Sequence, residues 1–411
     1  MKNNLANYSD KLNFVILTLL TIQISIVSIS IAVSSISFGI WIGLWLIQFL
    51  INKNSALNKN LFIDLKTVNY FILAYAFFEI LSRFFAVYPE GAFSNLKRLL
   101  LFLIFYVSIA KIVNFKTLTY ILLINISTIS VISIIEIVKY AFKFFEMAGE
   151  MPFSEIRIDF FNYPLTSAEI KMISLFSLFP LVFSDYLRDK FVIKRSLLII
   201  IIIPVIISML LTQSRNVMLA TAVCLLIYGI FINRKFLFSF IAVVILAAFL
   251  LPSSYTERTK SIFDPEHPSN KSRIEMWKVG IEMFKDHPFT GIADSHIKEV
   301  YETYKTPEAY GEGVHLHNNF LMILATTGIF GFIAWLGMFI SIFLIQIRYY
   351  QIERDPLKRM LLFGSILVMI SFQISGIFEW SFGDHEVMTV FFFLIAVPFI
   401  IKALPADDTI S

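Results

Sequence analysis

Charge is scarce in this chain. Only 16% of its 411 residues are Asp, Glu, Lys or Arg, while 57% are apolar and 16% aromatic; a soluble domain carries roughly 25% charged residues and about 45–50% apolar ones. Repeated runs of about 18 or more nearly uncharged residues exclude a soluble fold and mark bilayer-spanning helices. The period-two alternation of a membrane β-strand is also missing, so an outer-membrane barrel is excluded. The single cysteine, Cys224, lies in an apolar run and rules out a disulfide framework. No phosphate-binding G-x-x-x-x-G-K-S/T, G-x-G-x-x-G or G-x-S-x-G motif occurs, so neither a nucleotide-driven engine nor a hydrolase triad is supported. Energy for any transfer must arrive in the substrate. The first apolar run continues into a second with no small-residue cleavage site, so no cleaved signal peptide is expected.

What is present predicts an all-α polytopic membrane protein of about 12 transmembrane helices, residues 1–411 forming a single integral membrane domain. A large extracytoplasmic loop, 252–317, separates the ninth and tenth spans and carries short amphipathic helices. The uncharged stretch Asn13–Leu50 is too long for one crossing and is divided near Ser34–Gly39. Lys139–Lys171 reads as a loop with short interfacial pieces, the sixth span starting near Ile173. The tenth apolar region, Phe320–Ile347, exceeds one crossing and is expected to tilt or to begin as a short surface helix. With both termini in the cytoplasm, short inner connections hold 18 basic residues, short outer ones 8 and the long loop 8, as the positive-inside rule requires. The net charge of +4 is therefore topological and gives no reason to expect nucleic acid.

This topology brings three distant segments to the outer face. In LTQSRNVML, Arg215 lies between apolar runs beside Gln213 and Ser214; it either snorkels or clamps an anion such as phosphate, which a guanidinium fork suits. Arg273 opens RIEMWKVGIEMF, where Ile274, Trp277, Ile281 and Phe284 recur at helical spacing, predicting an interfacial amphipathic helix capped by Ser269, Asn270 or Ser272. In HLHNNFLMILATTGIFG, His315 and His317 stand two apart, with Gly311 and Gly313 before them and Asn318 after. No Asp, Glu or Cys completes a metal set at motif spacing, so no metal or other cofactor is expected. An imidazole suits proton transfer, and Asn318 is placed to orient it or the substrate. Glu379 and His385, with Asp384 and Glu386, form a last outer turn that is either simply solvated or supplies a carboxylate to orient a histidine.

These motifs, LTQSRN, SRIEMWKVGIEMFKDHPFTGIADS and HLHNNFLMILATTGIFG, with their order and the loop between the ninth and tenth spans, resemble the O-antigen ligase and polymerase superfamily of bacterial inner-membrane glycan transferases. The resemblance covers roughly Ser196–Ile347. It implies transfer of a glycan from an undecaprenyl diphosphate carrier to a sugar hydroxyl at the periplasmic face of the inner membrane, among membrane lipids and without metal or nucleotide sugar. The acceptor is lipid A-core in the ligase branch, which is favoured, and another carrier-linked glycan in the polymerase branch. It further implies that Arg215 and Arg273 engage the diphosphate and that His317 is the catalytic group, with His315 beside it. A transporter of lipid-linked sugar is the remaining reading, disfavoured by the absence of an inverted repeat and by polar groups gathered at one face.

Overall fold

The computed structural model describes residues 2–51, 65–147, 149–150, 156–183, 192–250, 264–306 and 313–405. Its elements are helices, and no strand occurs among the described residues, the arrangement a bilayer imposes because each backbone N–H and C=O must find a partner inside its own segment. Among the described residues, twelve apolar helices overlap the twelve expected segments. They are α1 (Lys2–Ile26), α2 (Ile31–Ile51), α3 (Lys66–Phe84), α4 (Phe102–Lys111, preceded by a 3-10 turn Ser94–Leu101), α5 (Phe115–Met147), α6 (Pro164–Val182), α7 (Arg195–Leu211), α8 (Arg215–Phe231) and α9 (Arg234–Leu250), followed after the long loop by α12 (Asn319–Ile352), α13 (Pro356–Ser375) and α14 (His385–Ala403). Six of them are long and apolar enough to cross a membrane, and others are shorter. The loop contributes α10 (Pro268–Asp286) and α11 (Ile297–Tyr304). Of the features read from sequence, Lys53, Lys59, Arg188, Lys190, Gly311 and the loop segment 252–263 lie outside the described residues.

α6 and α14 are buried along almost their whole length, as expected of helices apolar on every face. α13 packs on α6 and α14, α4 packs on α14, α12 lies along α3, and α7 lies along α5. The result is a bundle whose connections at one end carry Arg215, the long loop and Glu379.

Two boundaries differ from the sequence expectation. The first hairpin turns at residues 27–30, ahead of Ser34–Gly39, because Ser30 Oγ accepts the Val33 N–H at 3.3 Å and so caps α2. The supposed loop Lys139–Lys171 is helical at both ends, since α5 runs to Met147 and α6 starts at Pro164. Lys171 and Glu136 are buried and paired at 2.6 Å, and Glu136 also accepts from Ser208 Oγ at 2.6 Å. Charges that look solvated in sequence are here neutralised between helices, which is how a membrane interior tolerates them.

The tenth apolar region is one kinked element. Gly328 breaks α12 with φ 69° and ψ −175°, and the loop segment 288–293 docks into the break: Ile292 and Ala293 N–H donate to the Ala325 and Thr326 carbonyls at 2.9 and 3.0 Å, and Ile329 N–H donates to Pro288 C=O at 2.8 Å. Gly291, φ 67°, lies against the Thr326–Thr327 peptide, and Gly328 lies against Phe289 C=O, in both cases with no room for a Cβ. The loop is thus fastened to a membrane helix by backbone bonds, which fixes where α12 presents its first residues.

Candidate active site

α12 begins at the sequence HNN, and each residue of that triplet has a separate task. Asn318 is the N-cap, its Oδ1 accepting Leu321 N–H at 3.0 Å and so fixing the start of the helix. Asn319 is fully buried, its N–H donates to Gly376 C=O at 2.7 Å, and its Oδ1 accepts Phe382 N–H at 3.0 Å. It therefore ties the start of α12 to the turn that carries Glu379. His317 stands just outside the helix with φ 46°, a left-handed conformation that an L-residue adopts only where its surroundings hold it.

Glu379 is 8% exposed. Both its carboxylate oxygens lie 3.1 Å from His317 Nδ1. Burial by itself would raise the Glu379 pKa, but the hydrogen bond and charge of His317, aided by His315 and the Trp380 N–H, outweigh it and hold the group below the ordinary carboxylate value. Glu379, when ionised, is acceptor-only, so His317 presents Nδ1–H to it; in the neutral imidazole that tautomer leaves the Nε2 lone pair available.

His315 packs on His317 with ring centroids 4.0 Å apart. Its Nδ1 accepts the His317 backbone N–H at 3.3 Å, which places its own proton on Nε2. Burial, reinforced by His317 and Arg273 and opposed by Glu379 and Asp384, pushes its pKa down to about 4. At neutral pH it is an uncharged prop for the strained His317 backbone.

The donor atoms of His315, His317 and Glu379 lie within 4.8 Å of one another, a set of ligand types able to hold a metal ion. Sequence spacing predicts no such set. The carboxylate comes from a turn 62 residues beyond His317, so no local motif announces it.

The two arginines lie at a neighbouring cavity. Arg215 is the first residue of α8 and its Nη2 donates to Ser269 Oγ at the start of α10. Arg215 and Arg273 line one cavity of about 290 Å3, together with Asn216, Ile274, Trp277 and Phe378. Burial works against the charge on Arg273 while the Glu379 carboxylate favours it, so the guanidinium lies within electrostatic reach of the His–Glu pair.

α10 itself starts earlier than expected, at Pro268, with His267 as the N-cap accepting Ser269 N–H at 3.4 Å. Proline suits that first position, and Arg273 falls in the second turn, away from the unfavourable end of the helix dipole. The buried face is Met276, Val279, Gly280 and Met283; the stripe Ile274, Trp277, Ile281 and Phe284 is the outer one, Ile281 being 41% exposed, and its Ile274 and Trp277 line the arginine cavity.

Other candidates have structural roles. Gln213, φ 53°, donates through Nε2 to Ile156 C=O at 3.0 Å while its own C=O accepts from Arg157 at 3.0 Å, and Ser214 Oγ donates to Pro164 C=O at 3.4 Å. Both fix the turn that aims Arg215. His385 opens α14 with Asp384, Lys97 and Arg98 as its charged neighbours, apart from the histidine pair.

Sequence reading missed Glu169, which is buried in α6 and accepts on Oε1 from Ser375 Oγ, from Ser381 Oγ at 2.8 Å and from Asn216 Nδ2 at 3.4 Å. It also missed the tether at Asp294, which pairs with Arg98 and whose backbone C=O accepts Asn95 Nδ2 at 2.7 Å.

The fold is that of an all-α polytopic membrane protein with histidine, carboxylate and guanidinium groups gathered at one end of the bundle. Residues 197–336 match the family model described as O-antigen ligase, a stretch that includes Arg215, Arg273, His315 and His317 but not Glu379. Over this stretch, about a third of the chain, the protein is similar to the O-antigen ligase family. No match to the chain was found among curated proteins.

Proposed function

We propose that the protein is an O-antigen ligase that takes a glycan from an undecaprenyl diphosphate carrier and joins it to a sugar hydroxyl of lipid A-core at the periplasmic face of the inner membrane. The observation that carries this reading is the His317–Glu379 pair, 3.1 Å apart, coupled through Arg273 to the cavity that also holds Arg215. Glu379 orients His317 by taking its Nδ1–H, and Nε2 accepts the proton of the acceptor hydroxyl as that oxygen attacks the anomeric carbon. The bond between that carbon and the carrier phosphate breaks, and the charge released onto the diphosphate is met by Arg215 and Arg273. One displacement with no covalent intermediate inverts the anomeric configuration.

Metal-assisted chemistry at His315, His317 and Glu379 is the competing use of the same atoms. We favour the hydrogen-bonded pair because both Glu379 oxygens face a single ring nitrogen and His315 Nδ1 is turned to a backbone N–H, an arrangement that serves a base better than an ion. Purified protein, carrier-linked glycan and lipid A-core, with chelator and without ATP, should yield the coupled product with inverted configuration. Retention of configuration, or loss of turnover with chelator and its return with a divalent cation, overturns this mechanism. Elongation of the carrier-linked glycan in place of coupling to lipid A-core assigns the protein to the polymerase branch.

A further inference from the structure

A second, larger cavity of about 930 Å3 adjoins the arginine cavity. Their shared wall is the turn at residues 378–379 and helix α10: Phe378 and Trp277 line the smaller space, Glu379 and Met276 the larger. Glu169 crosses the same wall, because it lines the larger cavity while hydrogen-bonding Asn216 of the smaller one. His317 lines the larger cavity.

The two spaces differ in charge. Among the described residues the arginine cavity has no carboxylate in its lining, whereas the larger one is faced by Asp294, Glu299, Glu379 and Asp384 against Lys298 and Arg98, the latter paired with Asp294. A phosphorylated group would meet like charge there, while sugar hydroxyls find acceptors. Ser295 supplies an independent sign of a ligand: it lines the cavity, is 7% exposed, and its Oγ has no hydrogen-bond partner among the described residues. Tyr163 presents a ring that is 74% exposed at the same wall, the kind of amphipathic surface on which an apolar sugar face can lie. The volume is near the upper end of ligand cavities, which run from about 300 to about 1,000 Å3, and so exceeds what a single sugar ring fills.

We infer that the larger cavity is the acceptor subsite and that it takes the uncharged, hydroxyl-rich end of an oligosaccharide at least two sugars long, with Tyr163 as its platform. This rests on the transfer reading above and adds the acceptor's position and charge. Acceptor choice then depends on residues 95–98 and 163–166 as well as on the long loop.

The experiment uses the full chain in detergent with two probes, lipid A-core and a carrier-linked repeat unit, each in its native form and with a phosphate added to the terminal sugar. Binding is measured without donor. Val314, 58% exposed on the cavity wall, accommodates Val314→Trp without disturbing the core, and Tyr163→Ala removes the platform. Each should weaken acceptor binding by about tenfold or more, with the donor KM within about twofold of wild type, and the added phosphate should cost about tenfold. Acceptor binding unaffected by both substitutions, a donor KM that moves instead, or no binding of either probe overturns the subsite. Equal affinity for phosphorylated and native ends overturns its charge preference. Acceptor that binds in a Val314-sensitive way but is never coupled to glycan would instead count against the transferase reading while leaving the cavity assignment standing.

Discussion

His317 Nδ1 lies 3.1 Å from both oxygens of Glu379, a residue held in place by a turn that Asn319 anchors to the start of α12. Removing the carboxylate should therefore act through the imidazole. Glu379→Gln is expected to lower kcat sharply while leaving the donor KM near wild type, because the amide no longer fixes the tautomer that frees Nε2. His317→Ala should cost about 10² to 10⁴ in rate, the range of a general base. The double variant should be little worse than His317→Ala, since groups acting as one unit are not additive. Steady-state kinetics on the three proteins decide it; fully additive losses would show that Glu379 acts on the substrate independently.

The arginines should fail differently. Arg215 and Arg273 share a cavity, and their proposed charge partner is strongest once the carrier bond is breaking. Arg215→Ala and Arg273→Ala are each expected to reduce kcat by about 10² to 10³. Lysine should rescue only partly, because it lacks the planar fork. Insertion and folding are followed by the thermal midpoint in detergent. Near-normal transfer by either alanine variant removes the clamp from the mechanism.

Much of this was legible in the sequence for simple reasons. The spans follow from apolar length, which a bilayer demands, and Arg215, Arg273 and His317 stand out because charge and imidazole are rare here. The pairing of Glu379 with His317 was visible only as a general option, since nothing in a polar turn says which distant side chain it meets. The early start of α6 was hidden because Lys171 and Glu136 cancel each other only after α5 and α6 pack. The inward face of α10 could not be read because the helix carries two apolar stripes: Trp277 and Ile274 border the arginine cavity, while Met276 and Met283 are the residues that pack inward. Periodicity identifies an amphipathic helix; it does not say which of two apolar faces the protein covers.

The backbone joint between Gly291 and Gly328 gives a prediction that needs no substrate. Both have φ near 70°, at 67° and 69°, and both face backbone of the opposing segment. Gly328→Ala should combine left-handed strain with a clash against Phe289 C=O and so detach the loop from the kink, at a cost of about 1–3 kcal/mol in strain alone. Gly39→Ala, at a helical position with nothing within 4 Å of an added Cβ, is the control and should be neutral or mildly stabilising. Limited proteolysis of the loop is the readout. Equal resistance in Gly328→Ala and wild type would show that the joint is not what fastens it.

The depressed pKa of His315 sets a direction for pH dependence. The group falls from its ordinary value of 6.5 to about 4 in the fold, so between those values the unfolded chain binds a proton that the folded one does not. Its contribution to stability is complete above pH 6.5 and is lost as the pH falls through about 4. Asp294 works the other way: burial raises it from 3.8 to about 6 despite the Arg98 guanidinium, so acidification between those values favours the fold. The two slopes partly cancel in the wild type, and the informative comparison is with His315→Asn, whose amide oxygen can still accept the His317 N–H but does not titrate. That variant should lose the destabilising component, so its thermal midpoint in detergent should fall less, or rise, as the pH is lowered from 6.5 to 4. Protonating His315 also removes the acceptor that holds His317 at its positive φ, so wild-type transfer should decline over the same window more steeply than in the asparagine variant. Parallel curves for the two proteins would mean that His315 is not the prop on which the dyad depends.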